Sequence, residues 1–173
     1  MPKIVTHHDG RIPCPFKVVV DTREQTPYEF KQVRANAKLG GLLYEVQTVR
    51  RALATGDYAI DGMPRFAVER KSMADLFGSM ARRENFHARL ARFRATCDVA
   101  VVVIEAEIST ILASPPRFSS MPVKSVIRSI QSWTVRYPTV HWHFLPGRDA
   151  AERWTFSLLR LYYESHSAEA IHG

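Results

Sequence analysis

Long apolar runs are missing from this 173-residue chain. The longest, Val99 to Ile104, falls far short of the roughly 20 residues a bilayer-spanning helix needs, so no membrane role is expected. The opening residues, Met1 to His8, carry no apolar segment of the kind a secretory signal requires. Cysteine is scarce. Cys14 lies near the start and Cys97 just before the apolar run, which is the placement of reduced structural thiols in a cytoplasmic protein. Ser/Gly-rich linkers, repeats and low-complexity tracts are absent, which excludes a string of tethered modules. Acid is also in deficit, with 17 Asp+Glu against 24 Lys+Arg and a formal net charge of +7. Such an excess favours polyanionic partners, because neutralising phosphates releases condensed counterions. It is concentrated between Arg82 and Arg94, where Arg82, Arg83, Arg89, Arg92 and Arg94 accompany a single acid, Glu84.

What is present is a mixture of strand and helix signals. The 46% hydrophobic and 24% charged content is that of a globular protein. Residues 1–15 show no period and carry prolines and a glycine, which predicts a tail or leading loop. Lys17 to Asp21 predicts a buried strand ending on an acid, and 22–29 a loop. A helix is expected over about 30–40, closed by Gly40-Gly41. Tyr44 to Val49 alternates like a strand. Asp61-Gly62 between Gly56–Ile60 and Arg65–Lys71 predicts a hairpin. Met73, Leu76, Phe77, Met80, Phe86, Leu90 and Phe93 recur at helical steps, with one step of six, and predict a helix over 72–95. Asp98–Ile104 predicts a strand covered on both faces. A long loop is expected over 106–121, then a helix over 123–137, a strand over 140–145 and a closing helix over 148–165. The expected whole is one α/β domain, residues 17–166, with a central mixed β-sheet flanked by helices and short tails at 1–16 and 167–173.

The hairpin carries the first candidate chemistry. In the arm 65–71 alternate side chains share a face, so Glu69 and Lys71 point the same way, their Cα atoms roughly 6.5–7 Å apart. Asp57 lies on the partner arm and can meet Glu69. Two converging carboxylates suit Mg²⁺, which keeps waters for substrate and nucleophile. A lysine beside them can orient the attacking water or stabilise charge at phosphorus, as phosphodiester hydrolysis requires. A hairpin with a solvated Glu–Lys pair fits the same spacing. Asp21 and Glu24 follow an apolar strand end and can add carboxylates, with Arg23 gripping a phosphate; turn chemistry is the competing account of Asp21. Asp75 stands three residues after Ser72, where it can cap a helix, serve the site, or both. Arg82, Arg89 and Arg92 share a helical face suited to a phosphate backbone, and a solvated face is the ordinary alternative.

Taken together, three blocks carry a resemblance: Val18-Val19-Val20-Asp21-Thr22-Arg23-Glu24, Gly56-Asp57-Tyr58, and Glu69-Arg70-Lys71-Ser72-Met73-Ala74-Asp75 with Gly78-Ser79. In order and spacing they resemble the nuclease domain of the XPF family of structure-specific DNA endonucleases, over about residues 17–165. The resemblance implies a restriction-endonuclease-like fold, Mg²⁺ or Mn²⁺ dependence, and cleavage of branched or flap DNA by a bacterial or phage-encoded, nucleoid-associated enzyme. It implies Asp57 and Glu69 as metal ligands, with Asp21 joining them, and Lys71 as the water-orienting lysine. Glu24, Arg70 and Asp75 complete the catalytic set, and Arg23, Arg82, Arg83, Arg89 and Arg92 are the expected DNA contacts. Arg89 departs from the Gln or Glu common at its position, and no tandem helix-hairpin-helix motif follows. A catalytically inactive DNA-binding scaffold is the alternative, but such members lose acids from these blocks and this chain keeps them. The last helix is apolar on two sides, Trp154, Leu158, Leu161 and Tyr162 on one and Phe156, Leu159 and Tyr163 on the other. That pattern predicts a homodimer through the C-terminal helices.

Overall fold

The computed structural model describes residues 10–117 and 119–172, with side chains through residue 167. Eight strands and five α-helices run in the order β1 (Ile12–Pro13), β2 (Val18–Val20), β3 (Tyr44–Glu45), β4 (Thr48–Arg50), β5 (Tyr58–Ile60), β6 (Met63–Lys71), α1 (Met73–Ala81), α2 (Arg83–Thr96), β7 (Val99–Ile104), α3 (Ile108–Ala113), α4 (Val123–Arg136), β8 (Val140–Phe144) and α5 (Arg148–His172). Six strands form a central sheet in the order β4-β2-β5-β6-β7-β8. It is mixed: β5 runs antiparallel to β2 and β6, while β2–β4, β6–β7 and β7–β8 are parallel pairs.

Period-2 alternation sends the central strands' side chains into two cores. Phe66 and Val68 of β6, and Val101 and Val103 of β7, face one cluster that includes Tyr28, Phe30, Phe156 and Leu159. Ala67, Ala100, Val102 and Ile104 face the other, built with Leu76, Phe77, Phe86, Leu90, Phe93 and Trp133 from α1, α2 and α4. A strand buried on both faces needs no polar alternation, which is why β7 reads as one apolar run. The expected hairpin is present, with Gly62 at φ +82 in its turn. Among the described residues, no helix is long and apolar enough to cross a membrane.

Five expectations change. The helix over 30–40 does not form; only a single 3-10 turn, Ala37–Leu39, is present, capped by the Asn36 side chain and by Gly40 at φ +68. Residues 33–35 instead pair with 42–44 through Ala35 N–H to the Leu42 carbonyl and Tyr44 N–H to the Val33 carbonyl. Phe30, at φ +55, donates its N–H to the Glu152 carboxylate of α5 and packs its ring on Tyr58 and Phe156. Long-range pairing and aromatic burial override the local helical signal. The helix over 72–95 is broken at Arg82, in the sixfold step between Met80 and Phe86. The loop over 106–121 contains α3, a helix too short to show a period, anchored by fully buried Ile111. Residues 10–16, placed in an N-terminal tail, are packed: Ile12 and Phe16 are buried and β1 pairs in parallel with β3. Residues 1–9 of that tail lie outside the described residues. The closing helix continues past 165 to His172. Both cysteines are free, and burial pushes the Cys14 thiol up to about 11.

Candidate active site

Strand β5 enters the sheet through Gly56 and Asp57. Gly56 has φ +79, and a Cβ there would lie 3.1 Å from both the Ala67 Cβ and the Val68 carbonyl oxygen, so glycine alone lets the chain pass this close to β6. Asp57 is then pinned from three sides. Its N–H donates to the Val68 carbonyl at 2.7 Å, its carbonyl accepts from Asp21 N–H at 2.8 Å, and its Oδ2 accepts the Arg70 N–H at 2.7 Å. The last bond lays the carboxylate against β6 between Glu69 and Lys71.

Glu69 and Lys71 share the face of β6 turned toward α2, as alternation requires. Both are buried, Glu69 at 1% exposure and Lys71 at 7%. Lys71 Nζ donates to Glu69 Oε1 at 2.8 Å and sits 5.0 Å from the Phe86 ring centroid. Arg89 of α2 donates to the same Oε1 through Nη1. Glu69 Oε2 is buried and has no hydrogen-bond partner. Burial first, and then the Glu69 charge, push the Asp57 carboxyl up to about 7 against the lowering pull of the Arg70 N–H. Half-buried Asp57 beside buried Glu69, with one orphaned Glu69 oxygen, has the donor chemistry of a hard divalent cation site. Among the described residues, no group of three or more His, Cys, Asp or Glu converges.

Asp21 does not join the pair. Its Oδ1 accepts from the Arg23 N–H at 2.8 Å and from Arg23 Nε at 2.7 Å, while its Oδ2 accepts from Leu53 N–H at 2.6 Å and Arg23 Nη2 at 3.0 Å. Burial raises this carboxyl, but the Arg23 and Leu53 donors outweigh it and hold it down to about 2. Asp21 therefore ties the β2 end to the 53–55 loop, which presents Gly56 and Asp57.

Glu24 and Arg70 lie in a second network toward α5. Arg70 grips Glu105 in a bidentate pair, Nε to Oε1 at 2.7 Å and Nη2 to Oε2 at 3.0 Å, and reaches Thr26 Oγ1 at 3.0 Å. Glu24 Oε1 accepts from Thr26 N–H at 2.8 Å, yet it stays near enough to help raise the Asp57 carboxyl. Tyr28 donates its hydroxyl to Glu105 at 3.0 Å and stacks on Tyr58, under the guanidinium of Arg148. This network fixes the sheet behind the carboxylates; Arg70 turns its backbone, not its side chain, to Asp57. Glu105, Tyr28 and Arg148 were not singled out from sequence. The signal for Glu105 was available, since it follows an apolar strand directly, as Asp21 does.

Asp75 serves the cap of α1: its N–H donates to the N-cap Ser72 Oγ at 3.1 Å and its Oδ2 accepts the Ser72 hydroxyl at 2.6 Å. It also borders a cavity of about 260 Å³ lined by Lys71, Ser79, Arg82, Asn85, Phe86 and Arg89. A second cavity of about 170 Å³ is lined by Arg23, Thr55, Gly56, Asp57, Arg89 and Arg92. Arg89 borders both, so a basic groove passes over the carboxylates. Arg83 is turned away from it, its guanidinium 5.6 Å from the Trp133 ring centroid on α4.

A mixed sheet with a carboxylate pair and a lysine on adjacent strands defines a restriction-endonuclease-like nuclease domain. The ERCC4 domain family model matches residues 20–158, and the chain belongs to that family of XPF-type DNA nucleases. Among solved structures, XPF from Aeropyrum pernix is similar with a TM-score of 0.63 at 20% identity, over 89% of this chain and 68% of that one. XPF from Aeropyrum pernix in complex with DNA gives the same TM-score and identity over 87% of this chain and 66% of that one. No curated protein sequence matches.

Proposed function

We propose that the protein is a Mg²⁺- or Mn²⁺-dependent endonuclease that hydrolyses the phosphodiester backbone of branched or flap DNA. The observation that carries this reading is half-buried Asp57 beside buried Glu69, with the orphaned Glu69 Oε2 and Lys71 Nζ alongside. Asp57 and Glu69 would hold the cation, which would supply Lewis-acid chemistry at the phosphate and toward the attacking water. Lys71, its stem held against Phe86, orients that water and offsets the charge developing at phosphorus. Arg23, Arg82, Arg89 and Arg92 line the groove that suits a DNA backbone, and the structure of XPF from Aeropyrum pernix in complex with DNA supports DNA as the ligand. Glu24, Arg70 and Asp21 hold the frame that presents the pair.

The test is cleavage of labelled duplex, flap, fork and Holliday-junction DNA with Mg²⁺, Mn²⁺ or EDTA, beside Asp57→Ala and Lys71→Ala. Cutting that needs the metal and is lost in both variants supports the reading. Binding without cutting in every metal sinks it in favour of the inactive scaffold. Pairing of two copies through α5 belongs to the same proposal. Phe156 and Leu159 fill the core, and Tyr162 stacks on Phe66, whereas Trp154 and Leu161 stay 42% and 51% exposed. A monomeric mass by light scattering at tens of micromolar would refute the pairing.

A further inference from the structure

We propose that Arg89 is a positioning residue that shares Glu69 with the metal. It neutralises this buried carboxylate in the metal-free protein, and turns to a DNA phosphate when a divalent cation binds. The inference rests on the metal-dependent reading above and extends it to how loading of the site is controlled.

Three observations carry it. Glu69 Oε1 accepts from two cations at once, Lys71 and Arg89, while Oε2 accepts from none. The two cations differ in freedom: the Lys71 side chain is 9% exposed and held at Phe86, whereas the Arg89 side chain is 43% exposed. Arg89 also borders both cavities, with Arg82 lining one and Arg23 and Arg92 the other.

Formal charge then sets the direction of the effect. With both carboxylates ionised, Asp57 and Glu69 are balanced by Lys71 and Arg89, so a divalent cation arriving at them adds two positive charges to a balanced set. Lys71, with its side chain 9% exposed, is the more confined of the two cations. Arg89 can rotate about its long stem into the groove, where a phosphate accepts its planar fork in a bidentate pair. Arg89 therefore opposes metal binding while the groove is empty and stops opposing it when DNA is present. By linkage, metal and DNA each raise the affinity of the other. An uncharged side chain at this position would remove that coupling and leave the site open to metal without DNA.

The experiment is calorimetric titration of Mn²⁺ into the full chain without DNA, using wild type, Arg89→Gln, Arg89→Lys, Arg94→Gln and Asp57→Ala. Arg89→Gln is expected to bind Mn²⁺ about tenfold or more tightly, the scale of removing a positive charge at ion-pairing distance. Arg89→Lys, which restores the charge, returns toward wild type. Arg94→Gln, an exposed arginine of the same helix that lines neither cavity, stays within about twofold because solvent and salt screen it. In EDTA, Arg89→Gln binds duplex DNA more weakly than wild type. Should Arg89→Gln fail to fold by circular dichroism, Arg89→Met keeps the stem, removes the charge and serves the same comparison. Wild-type binding that Asp57→Ala abolishes and the charge-removing variant leaves unchanged or weakened overturns this inference while the nuclease reading stands. Mn²⁺ binding by neither wild type nor the Arg89 variants overturns both.

Discussion

Gly56→Ala separates two costs that glycine hides at this position. The first is conformational: a side chain at φ +79 costs about 1 kcal/mol. The second is steric, because the new Cβ would sit 3.1 Å from the Val68 oxygen and the Ala67 Cβ and 3.4 Å from Phe93 Cε1. Backbone and ring must yield together, and overpacking of this kind adds about 1–3 kcal/mol. Gly62→Ala is the matched control, since Gly62 has φ +82 and nothing within 4 Å of the added Cβ. For a domain of this size, where 1 kcal/mol shifts Tm by roughly 2–4 °C, Gly62→Ala should lower Tm by about 2–4 °C and Gly56→Ala by about 5–15 °C. The Val68 oxygen that is pushed also accepts the Asp57 N–H, so Gly56→Ala should weaken Mn²⁺ binding as well, and Gly62→Ala should not. The assay is thermal unfolding by circular dichroism in EDTA, followed by Mn²⁺ titration of the folded variants. Equal Tm losses at the two glycines would refute the argument that close approach to β6 is what demands glycine beside Asp57.

Asp57 has a folded-state pKa raised to about 7, so the folded chain binds its proton more tightly than the unfolded one does; the associated stability is complete below the ordinary carboxyl range and is lost as pH rises through 7. Asp57→Asn should therefore raise Tm at pH 8 in EDTA and have less effect at pH 5, and a lower Tm at pH 8 would contradict this. Arg70→Met should leave Glu105 with the Tyr28 hydroxyl and a longer ion pair to Arg148 at 3.6 Å and cost about 1–3 kcal/mol, read by urea unfolding; a loss below about 0.5 kcal/mol would show that the Arg70 pair is not structural. Asp21 contributes in the opposite pH direction to Asp57. Its carboxyl is held down to about 2, so its stability is present above the ordinary carboxyl range and lost as pH falls toward 2, and Asp21→Asn should flatten the acid limb of the unfolding curve. Arg92→Gln should weaken duplex binding and reduce the slope of log K against log salt by about 1, the change for one lost phosphate contact.

Period and local chemistry by themselves determined much of this protein. Alternation in β6 put Glu69 and Lys71 on one face and Phe66, Val68 and the Arg70 side chain on the other, and the Asp61-Gly62 turn brought Asp57 back beside them. The unbroken run of β7 announced a strand covered twice. These features depend on neighbours within a few residues, so the chain encodes them locally. Partner choice among charged groups was settled only by tertiary structure, because a carboxylate after a strand end can serve a metal, a turn or an arginine equally well. Packing gave Asp21 to Arg23 and Leu53, Arg70 to Glu105, and Arg89 to Glu69 twenty residues away. Packing likewise stretched residues 30–36 along the core, since Phe30 finds Glu152 and Phe156 on a helix more than a hundred residues later, and no local period can register a contact at that distance.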